Sequence, residues 1–131
     1  MARSNYLITL LVGILLFVTG FASAKPVKHV YDFNFKAGNN RLDCPAAGQT
    51  KYVGPYGGQW GILCGWDTKM TSYHWGPISG ISFEQCILEC GKLDGCKVAA
   101  YTGTCYLKQD QKGKGFVPKN NNSFRLALKL N

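Results

Sequence analysis

The eleven residues CILECGKLDGC (86–96) contain three of the six cysteines of this chain of 131 residues. Three roles compete for such a cluster: zinc binding, redox chemistry and structural disulfides. Zinc sites commonly combine close cysteine pairs with a second pair or with histidines, and here the only histidines are His29 and His74. A redox site needs a C-x-x-C motif, which the sequence lacks. The pattern therefore favours structural disulfides, with no metal and no cofactor.

A short helix carries the first two cysteines of this cluster. Ser82 is a typical N-cap residue, Gln85 stands at the third helical position, and Gly91 is a typical helix end. Cys86 and Cys90 lie on one face because residues four apart are neighbours on a helix. A helix of about two turns is unstable alone in water, so we expect it to be held against other elements.

The beginning of the chain has the pattern of a secretory signal peptide. Arg3 is followed by the apolar run 7–18 and by small residues that end at Ala24. The apolar run is shorter than the roughly 20 residues of a membrane-spanning helix, and no other segment is apolar enough to span a bilayer. We expect residues 1–24 to be a signal peptide and the mature protein to be extracellular.

The mature chain would be small and basic. The sequence has fifteen Lys and Arg residues against seven Asp and Glu, and fourteen against seven without Arg3, a net charge of +7. Such a charge favours acidic polysaccharides, cell-wall polymers, anionic membrane surfaces or acidic proteins as partners. A secretory route argues against nucleic acid. An even number of cysteines in a small secreted chain indicates three disulfides.

Helix geometry reduces the possible pairings. A disulfide between Cys86 and Cys90 is disfavoured. Their side chains start one helical turn apart and run parallel, so the two sulfur atoms do not reach each other with disulfide geometry. Cys90 at the helix end and Cys96 at the start of the next strand are joined by a short glycine-containing return. The predicted pairs are then Cys90–Cys96, Cys86–Cys105 and, from the remaining residues, Cys44–Cys64.

Alternating hydrophobicity predicts strands at both ends of the mature chain. In segment 30–36, Tyr31, Phe33 and Phe35 share one face. In segment 123–131, Phe124 and three leucines alternate with polar or small residues. We expect this last strand to join the sheet, against residues 31–35. Segment 109–122 is polar and predicts a loop.

The middle of the chain predicts a core strand and a hairpin. Segment 97–109 has the pattern of a hairpin with a turn at Gly103. Segment 60–66 is a core strand in which glycines, such as Gly61, suggest that something packs closely on the second face. The first face presents two tryptophans, an isoleucine and a cysteine: Trp60, Ile62, Cys64 and Trp66. These elements predict an α+β fold.

The ordered cysteines and their flanks resemble the PAN/Apple module, specifically the Apple-like domains of secreted proteins of filamentous fungi. The resemblance rests on CPAAGQTKY (44–52), WGILCGWD (60–67), SFEQCILEC (82–90) and DGCKVAAYTGTCYLK (94–108). It implies one short helix clamped by two disulfides onto an antiparallel sheet. The family's core bridges fall on Cys86–Cys105 and Cys90–Cys96. Its third bridge often joins the domain ends, and here Cys44–Cys64 replaces it.

The resemblance also suggests domain boundaries and a general role. Residues 25–43 would form an N-terminal strand segment, and residues 44–131 the PAN/Apple-like domain with its C-terminal strand. PAN/Apple modules look like adaptors for proteins or carbohydrates, without catalysis of their own. The sequence offers no recognisable catalytic triad, carboxylate pair or metal set, so we expect no enzymatic activity.

Aromatic side chains near glycines are the candidate ligand-binding residues, because rings in loops suit sugars and protein anchors. They are Tyr56, Trp66, Tyr73, His74 and Trp75. The alternative for Trp75 and Trp66 is packing in the core, which the sequence favours for both.

Two further surface features stand out near the end of the chain. A candidate anion patch consists of four lysines: Lys108, Lys112, Lys114 and Lys119. The alternative is a solvated basic loop. Asn121 begins the N-glycosylation sequon Asn-Asn-Ser.

The leading hypothesis is a secreted binding module, a fungal effector-like protein that engages cell-wall carbohydrate or an extracellular host protein. A second hypothesis is a protease inhibitor that uses the loop 53–58, or a membrane-active toxin-like protein. A third is a structural cell-wall or adhesion component.

Overall fold

The computed structural model describes residue 28 and residues 32–54, 57–69, 76–109 and 115–130. These residues form one α-helix and eight strands. In chain order they are β1 (Lys36–Ala37), β2 (Thr50–Val53), β3 (Gln59–Cys64), β4 (Trp66–Thr68), α1 (Phe83–Gly91), β5 (Cys96–Tyr101), β6 (Cys105–Gln109), β7 (Phe116–Pro118) and β8 (Arg125–Lys129). Residues 1–24, which the sequence predicts to be a signal peptide, lie outside the described residues.

The strands form a six-stranded sheet in the order β1-β2-β3-β8-β5-β6 and a two-stranded sheet of β4 and β7. Neighbouring strands are antiparallel, apart from the short parallel pair of β1 and β2. The sheet is therefore mostly, but not wholly, antiparallel. The α+β class, the single short helix of the described residues and the β5–β6 hairpin agree with the sequence prediction.

The last strand joins the sheet as expected, but with other partners. β8 lies in the centre, paired with β3 on one side and β5 on the other. Its residues Leu126, Ala127 and Leu128 are all buried, because both faces of a central strand are covered here. The predicted pairing with residues 31–35 is wrong.

The predicted strand over residues 30–36 is also largely wrong. Residues 33–35 are not in a strand, and β1 begins only at Lys36. Phe33 and Phe35 are nevertheless half-buried while Asp32 and Asn34 are exposed, so the alternation identified the inward side chains correctly. The two phenylalanines contact the core through their rings, and the backbone hydrogen bonds of a ladder are not needed for that contact.

A glycine separates the two tryptophans that were expected on one face. Gly65 has a φ of 77°, a left-handed conformation that suits glycine. It interrupts the alternation after β3 and starts β4 in the second sheet. Trp60 is buried on one side of the main sheet, whereas Trp66 packs on the other. The prediction that Trp66 shares a face with Trp60 is therefore wrong.

Three disulfides are present, and they join the predicted pairs Cys44–Cys64, Cys86–Cys105 and Cys90–Cys96. The two bridges from α1 reach the β5–β6 hairpin, and their four cysteines are completely buried. Cys44 and Cys64 are half-buried. The helix is thus clamped at two points one turn apart.

Polar contacts fix the ends of α1. The Ser82 hydroxyl accepts a hydrogen bond from the Gln85 amide at 3.1 Å, which is the predicted N-cap. At the other end the ammonium of Lys129, on β8, donates to the carbonyls of Cys90 at 3.5 Å and Leu93 at 3.2 Å. Burial lowers the pKa of Lys129. A cation at a helix C-terminus is favourable because the last carbonyls carry partial negative charge.

The main sheet has a core on each face. The helix-side core contains both helix disulfides and side chains such as Trp60, Ile62, Phe83 and Ile87. The opposite core contains Leu63, Val98, Ala100, Phe116, Leu126 and Leu128, with Phe33, Phe35, Trp66 and Tyr106 packed against it. Sequence alternation did not reveal Phe116, which lies in the segment predicted to be a polar loop.

Gly61 makes room for Phe35. A β-carbon at Gly61 would lie 2.5 Å from Cζ of the Phe35 ring, closer than carbon atoms can pack. This is the close approach that glycine in the core strand suggested. We expect Gly61→Ala to reduce the free energy of unfolding by about 1–2 kcal/mol, because the ring must leave its place.

A double-mutant cycle in urea tests this prediction. In the Phe35→Ala background the clash is gone, so Gly61→Ala should be neutral or stabilising by about 0.5 kcal/mol, since alanine lowers the entropy of the unfolded chain. An equal loss in both backgrounds would contradict the contact.

Candidate functional site

A groove of about 240 Å³ opens on the face of the main sheet opposite the helix. Two aromatic rings, two threonines, an alanine, a carboxylate and an ammonium line it. These residues are Tyr106, Phe124, Thr68, Thr102, Ala100, Asp67 and Lys108. The groove is smaller than the roughly 300–1,000 Å³ pockets of drug-sized ligands, so it suits one small ring or a chain end.

Strand β6 provides one wall. Tyr106 and Lys108 point to the same face because they are two residues apart in a strand. The Lys108 ammonium lies 5.4 Å from the centre of the Tyr106 ring. Across the ladder Tyr106 pairs with Ala100, whose small side chain leaves space beside the ring. The other alternating pair, Cys105 and Leu107, is buried on the helix side.

Strand β4 provides the opposite wall. The Thr68 amide donates a hydrogen bond of 2.7 Å to Oδ1 of Asp67, which fixes the carboxylate. The Thr68 hydroxyl lies 3.2 Å from the Gly115 carbonyl oxygen and donates to it. Pairing with β7 holds this strand in place, with Asp67 opposite Val117. The bond from the Thr68 amide and the pairing with β7 therefore hold the Asp67 carboxylate at the wall of the groove.

The turn before β8 contributes the second aromatic ring. The Gly65 amide donates to the Phe124 carbonyl at 2.7 Å, and the Phe124 amide donates to the Asn121 carbonyl at 3.0 Å. The ammonium of Lys119 lies 5.8 Å from the centre of the Phe124 ring. These contacts anchor the half-buried ring at the edge of the groove.

The groove combines apolar and polar binding groups in one place. Rings of tyrosine and phenylalanine offer flat apolar surfaces. Hydroxyl groups donate and accept hydrogen bonds, a carboxylate accepts them, and an ammonium donates them. A ligand with one apolar face and a rim of hydroxyl groups would use all of these groups at once. A purely apolar ligand would use only the two rings.

Two of the four lysines in the predicted anion patch lie beside aromatic rings of the groove. Lys108 lines the groove beside Tyr106, and the exposed Lys119 lies against the ring of Phe124. Both lysines therefore adjoin an aromatic ring. The remaining two of the four predicted lysines, Lys112 and Lys114, lie outside the described residues.

Of the five predicted aromatic candidates, the structure describes only Trp66, which does not line the groove. Trp66 is half-buried, and its ring makes an edge contact with Phe33 at 5.0 Å between centroids. The Lys28 ammonium lies 5.7 Å from both rings, so Trp66 packs within this cluster and does not line the groove. The other four aromatic candidates lie outside the described residues: Tyr56, Tyr73, His74 and Trp75.

Sequence reasoning missed most of the groove. Tyr106 had a usable signal, because alternation in a hairpin that buries Cys105 and Leu107 places Tyr106 and Lys108 on the opposite face. Asp67, Thr68 and Phe124 had none. They reach the groove through the second sheet and its connection to β8, which the sequence did not predict.

Among the described residues, no group of three or more His, Cys, Asp or Glu side chains is placed to hold a metal ion. No helix in that part of the chain has the length and apolar character needed to cross a membrane. Comparison of the whole chain with protein-family models and with curated proteins found no match.

Proposed function

We propose that this protein is a secreted, PAN/Apple-like binding module whose groove holds a sugar ring of a cell-wall polysaccharide. The observation that carries the proposal is the composition of the groove, in which two aromatic rings stand beside hydroxyl, carboxylate and ammonium groups. In this role the protein would be a fungal effector-like protein acting at an extracellular surface.

The disulfides support an extracellular role. Six cysteines in three pairs are typical of small domains that fold in oxidising compartments. Two bridges join the helix to the sheet, and a helix fastened in this way keeps the small fold in place. Loops and grooves can then vary in sequence while the disulfide-linked elements remain fixed.

The net positive charge of the chain favours retention near acidic polymers. The groove itself, however, is not a simple anion site. Asp67 and Lys108 contribute opposite charges to it. A dense polyanion would be attracted by the lysine and repelled by the carboxylate. A polysaccharide with hydroxyl groups, or with amide groups, meets both without repulsion. The net charge of the chain, +8 over its full length, would raise the encounter rate at negatively charged walls.

Retention on insoluble chitin, glucan and cellulose, at low and high salt, tests the proposal. We expect retention on one polymer to persist at high salt, because stacking and hydrogen bonds are not screened. Tyr106→Ala should weaken it about tenfold or more, since a stacked ring contributes about 1.5 kcal/mol beyond its buried area. The variant's urea denaturation should show that it is folded.

A charge control separates the groove from general basicity. Lys51 is exposed on β2, which lies near the opposite edge of the main sheet from β6. Lys51→Ala should leave retention at high salt unchanged, whereas Lys108→Ala should lower it. Equal effects of both variants, or loss of all retention at high salt, would reduce the interaction to nonspecific charge. Absence of retention on every polymer would contradict the sugar proposal and favour a protein target.

A further inference from the structure

We infer that Asn121 is an N-glycosylation site and that its glycan is attached at the edge of the groove. Asn121-Asn122-Ser123 is the only Asn-x-Ser/Thr sequon in the sequence. The inference rests on the proposed function in one respect, because the modification requires passage through a secretory pathway. The accessibility of Asn121 itself is argued from the hydrogen bonds of the turn that contains it.

The amide of Asn121 is arranged so that its nitrogen is available. Oδ1 of Asn121 accepts hydrogen bonds from the Ser123 amide at 3.0 Å and from the Ser123 hydroxyl at 2.8 Å. Nδ2, the atom that carries the sugar, has no hydrogen-bond partner among the described residues. All three sequon residues are exposed. A substituent on Nδ2 therefore leaves every hydrogen bond of this turn in place.

A second asparagine in a turn, Asn40, differs from Asn121 because its amide nitrogen is hydrogen-bonded. Asn40 is also exposed, but both atoms of its amide are used. Its Oδ1 accepts from the Val53 amide at 2.6 Å, and its Nδ2 donates to the Val53 carbonyl at 3.2 Å. A substituent on that nitrogen would displace a contact between the segment after β1 and strand β2. Asn121 has no such structural task for its nitrogen.

The chemistry is a transfer of an oligosaccharide from a lipid-linked pyrophosphate donor. The Asn121 Nδ2 forms a bond to the anomeric carbon of the first sugar and loses one proton. The bond between that carbon and the pyrophosphate oxygen breaks, and the lipid pyrophosphate leaves with the bonding electrons. No oxidation or reduction takes place, and the secretory pathway supplies the donor.

The surrounding backbone places the modified side chain at the groove. Lys119 donates its amide to the Gly65 carbonyl at 2.8 Å, and Phe124 closes the turn on the Asn121 carbonyl at 3.0 Å. The turn is thus pinned to the junction of β3 and β4, and it ends at a ring that lines the groove. A glycan on Asn121 would start three residues before that ring, in the turn that the Phe124 amide closes.

Expression of the full chain in a eukaryotic cell, followed by intact-mass measurement of the secreted protein, tests the site. We expect an added oligosaccharide mass that disappears on treatment with a glycan-removing amidase, which converts Asn121 to aspartate. Ser123→Ala should abolish the added mass while keeping the backbone hydrogen bond to Asn121 and hence the turn. Asn121→Gln should abolish it as well.

Two variants that keep the sequon serve as controls. Asn122→Gln changes the middle residue and should keep the added mass, and Ser123→Thr preserves the sequon and should keep it too. Secreted protein of unmodified mass would overturn the inference but leave the proposed extracellular role standing. Unmodified protein that stays in the cytosol would overturn both, because the chain would never have met the donor.

Discussion

Replacing Phe116 with alanine is expected to lower the free energy of unfolding by about 3–5 kcal/mol, the usual loss for a fully buried phenylalanine. Its side chain is 0% exposed and belongs to the core opposite the helix. Its ring lies 5.8 Å from that of Phe33, in an edge contact. The cavity would lie between the two sheets, in the core on the opposite face of the main sheet from α1. The loss is a large share of the 5–15 kcal/mol that stabilises a typical domain.

Urea denaturation of the oxidised protein measures this loss. Phe116→Leu should cost clearly less, because it leaves most of the volume filled. Phe33→Ala is the control for the partner ring, and its loss should be smaller because Phe33 is only half-buried. A loss below about 1 kcal/mol for Phe116→Ala would mean that the second sheet contributes little to the stability of the fold.

Removing the bridge between the helix and the hairpin has the second large expected effect. In the double variant Cys86→Ala/Cys105→Ala we expect a loss of about 3 kcal/mol or more, on the chain-entropy account of disulfides. The bridge spans a sequence separation of 19, and both cysteines are completely buried. Both are replaced together, so that no free thiol forms a wrong pair.

The matched control is the other bridge of the same helix. Cys90–Cys96 has a sequence separation of 6 and is equally buried. A disulfide that closes a shorter loop removes less entropy from the unfolded chain. Cys90→Ala/Cys96→Ala should therefore lower the free energy of unfolding by about 1 kcal/mol less than the first double variant does. Calorimetry of both variants in parallel checks the order. A reversed order would show that the short bridge stabilises through contacts in the native state.

The sequence predicted the elements that depend on local signals. The helix begins at an N-cap serine and ends at a glycine, and each of these signals lies at the helix end that it determines. The pairing of Cys90 with Cys96 follows from the shortness of the return between them. The β5–β6 hairpin follows from alternation on both sides of Gly103. In each case the residues that decide the structure are close in the chain.

Features that depend on distant residues were not predicted. The segment around Phe116 is rich in lysine and glycine, and its strand β7 has three residues, too few for alternation to be recognised. Trp66 changes sides because Gly65 adopts a positive φ, and alternation assumes an unbroken strand. The pattern of β8 shows that it is amphipathic or buried but contains no information about which strands lie beside it.

The groove also combines residues that local signals could place with residues that depend on distant parts of the chain. Tyr106 and Lys108 could have been placed from the hairpin alone, since their neighbours in the strand are buried on the other face. Asp67 and Phe124 meet them only because β4 turns away from β3 and because the turn before β8 is attached to Gly65. Trp66, the one described candidate that was chosen for its position near a glycine, does not line the groove.

The central position of β8 has a consequence for the order of folding. β3 and β5 do not pair with each other; each pairs with β8. While a ribosome is still making the chain, β2 and β3 can meet, and so can β5 and β6, because each pair is local. The two halves of the sheet have no shared backbone partner until the last of the described strands has emerged. The main sheet can therefore close only after β8 has been made, and all six cysteines precede β8 in the chain.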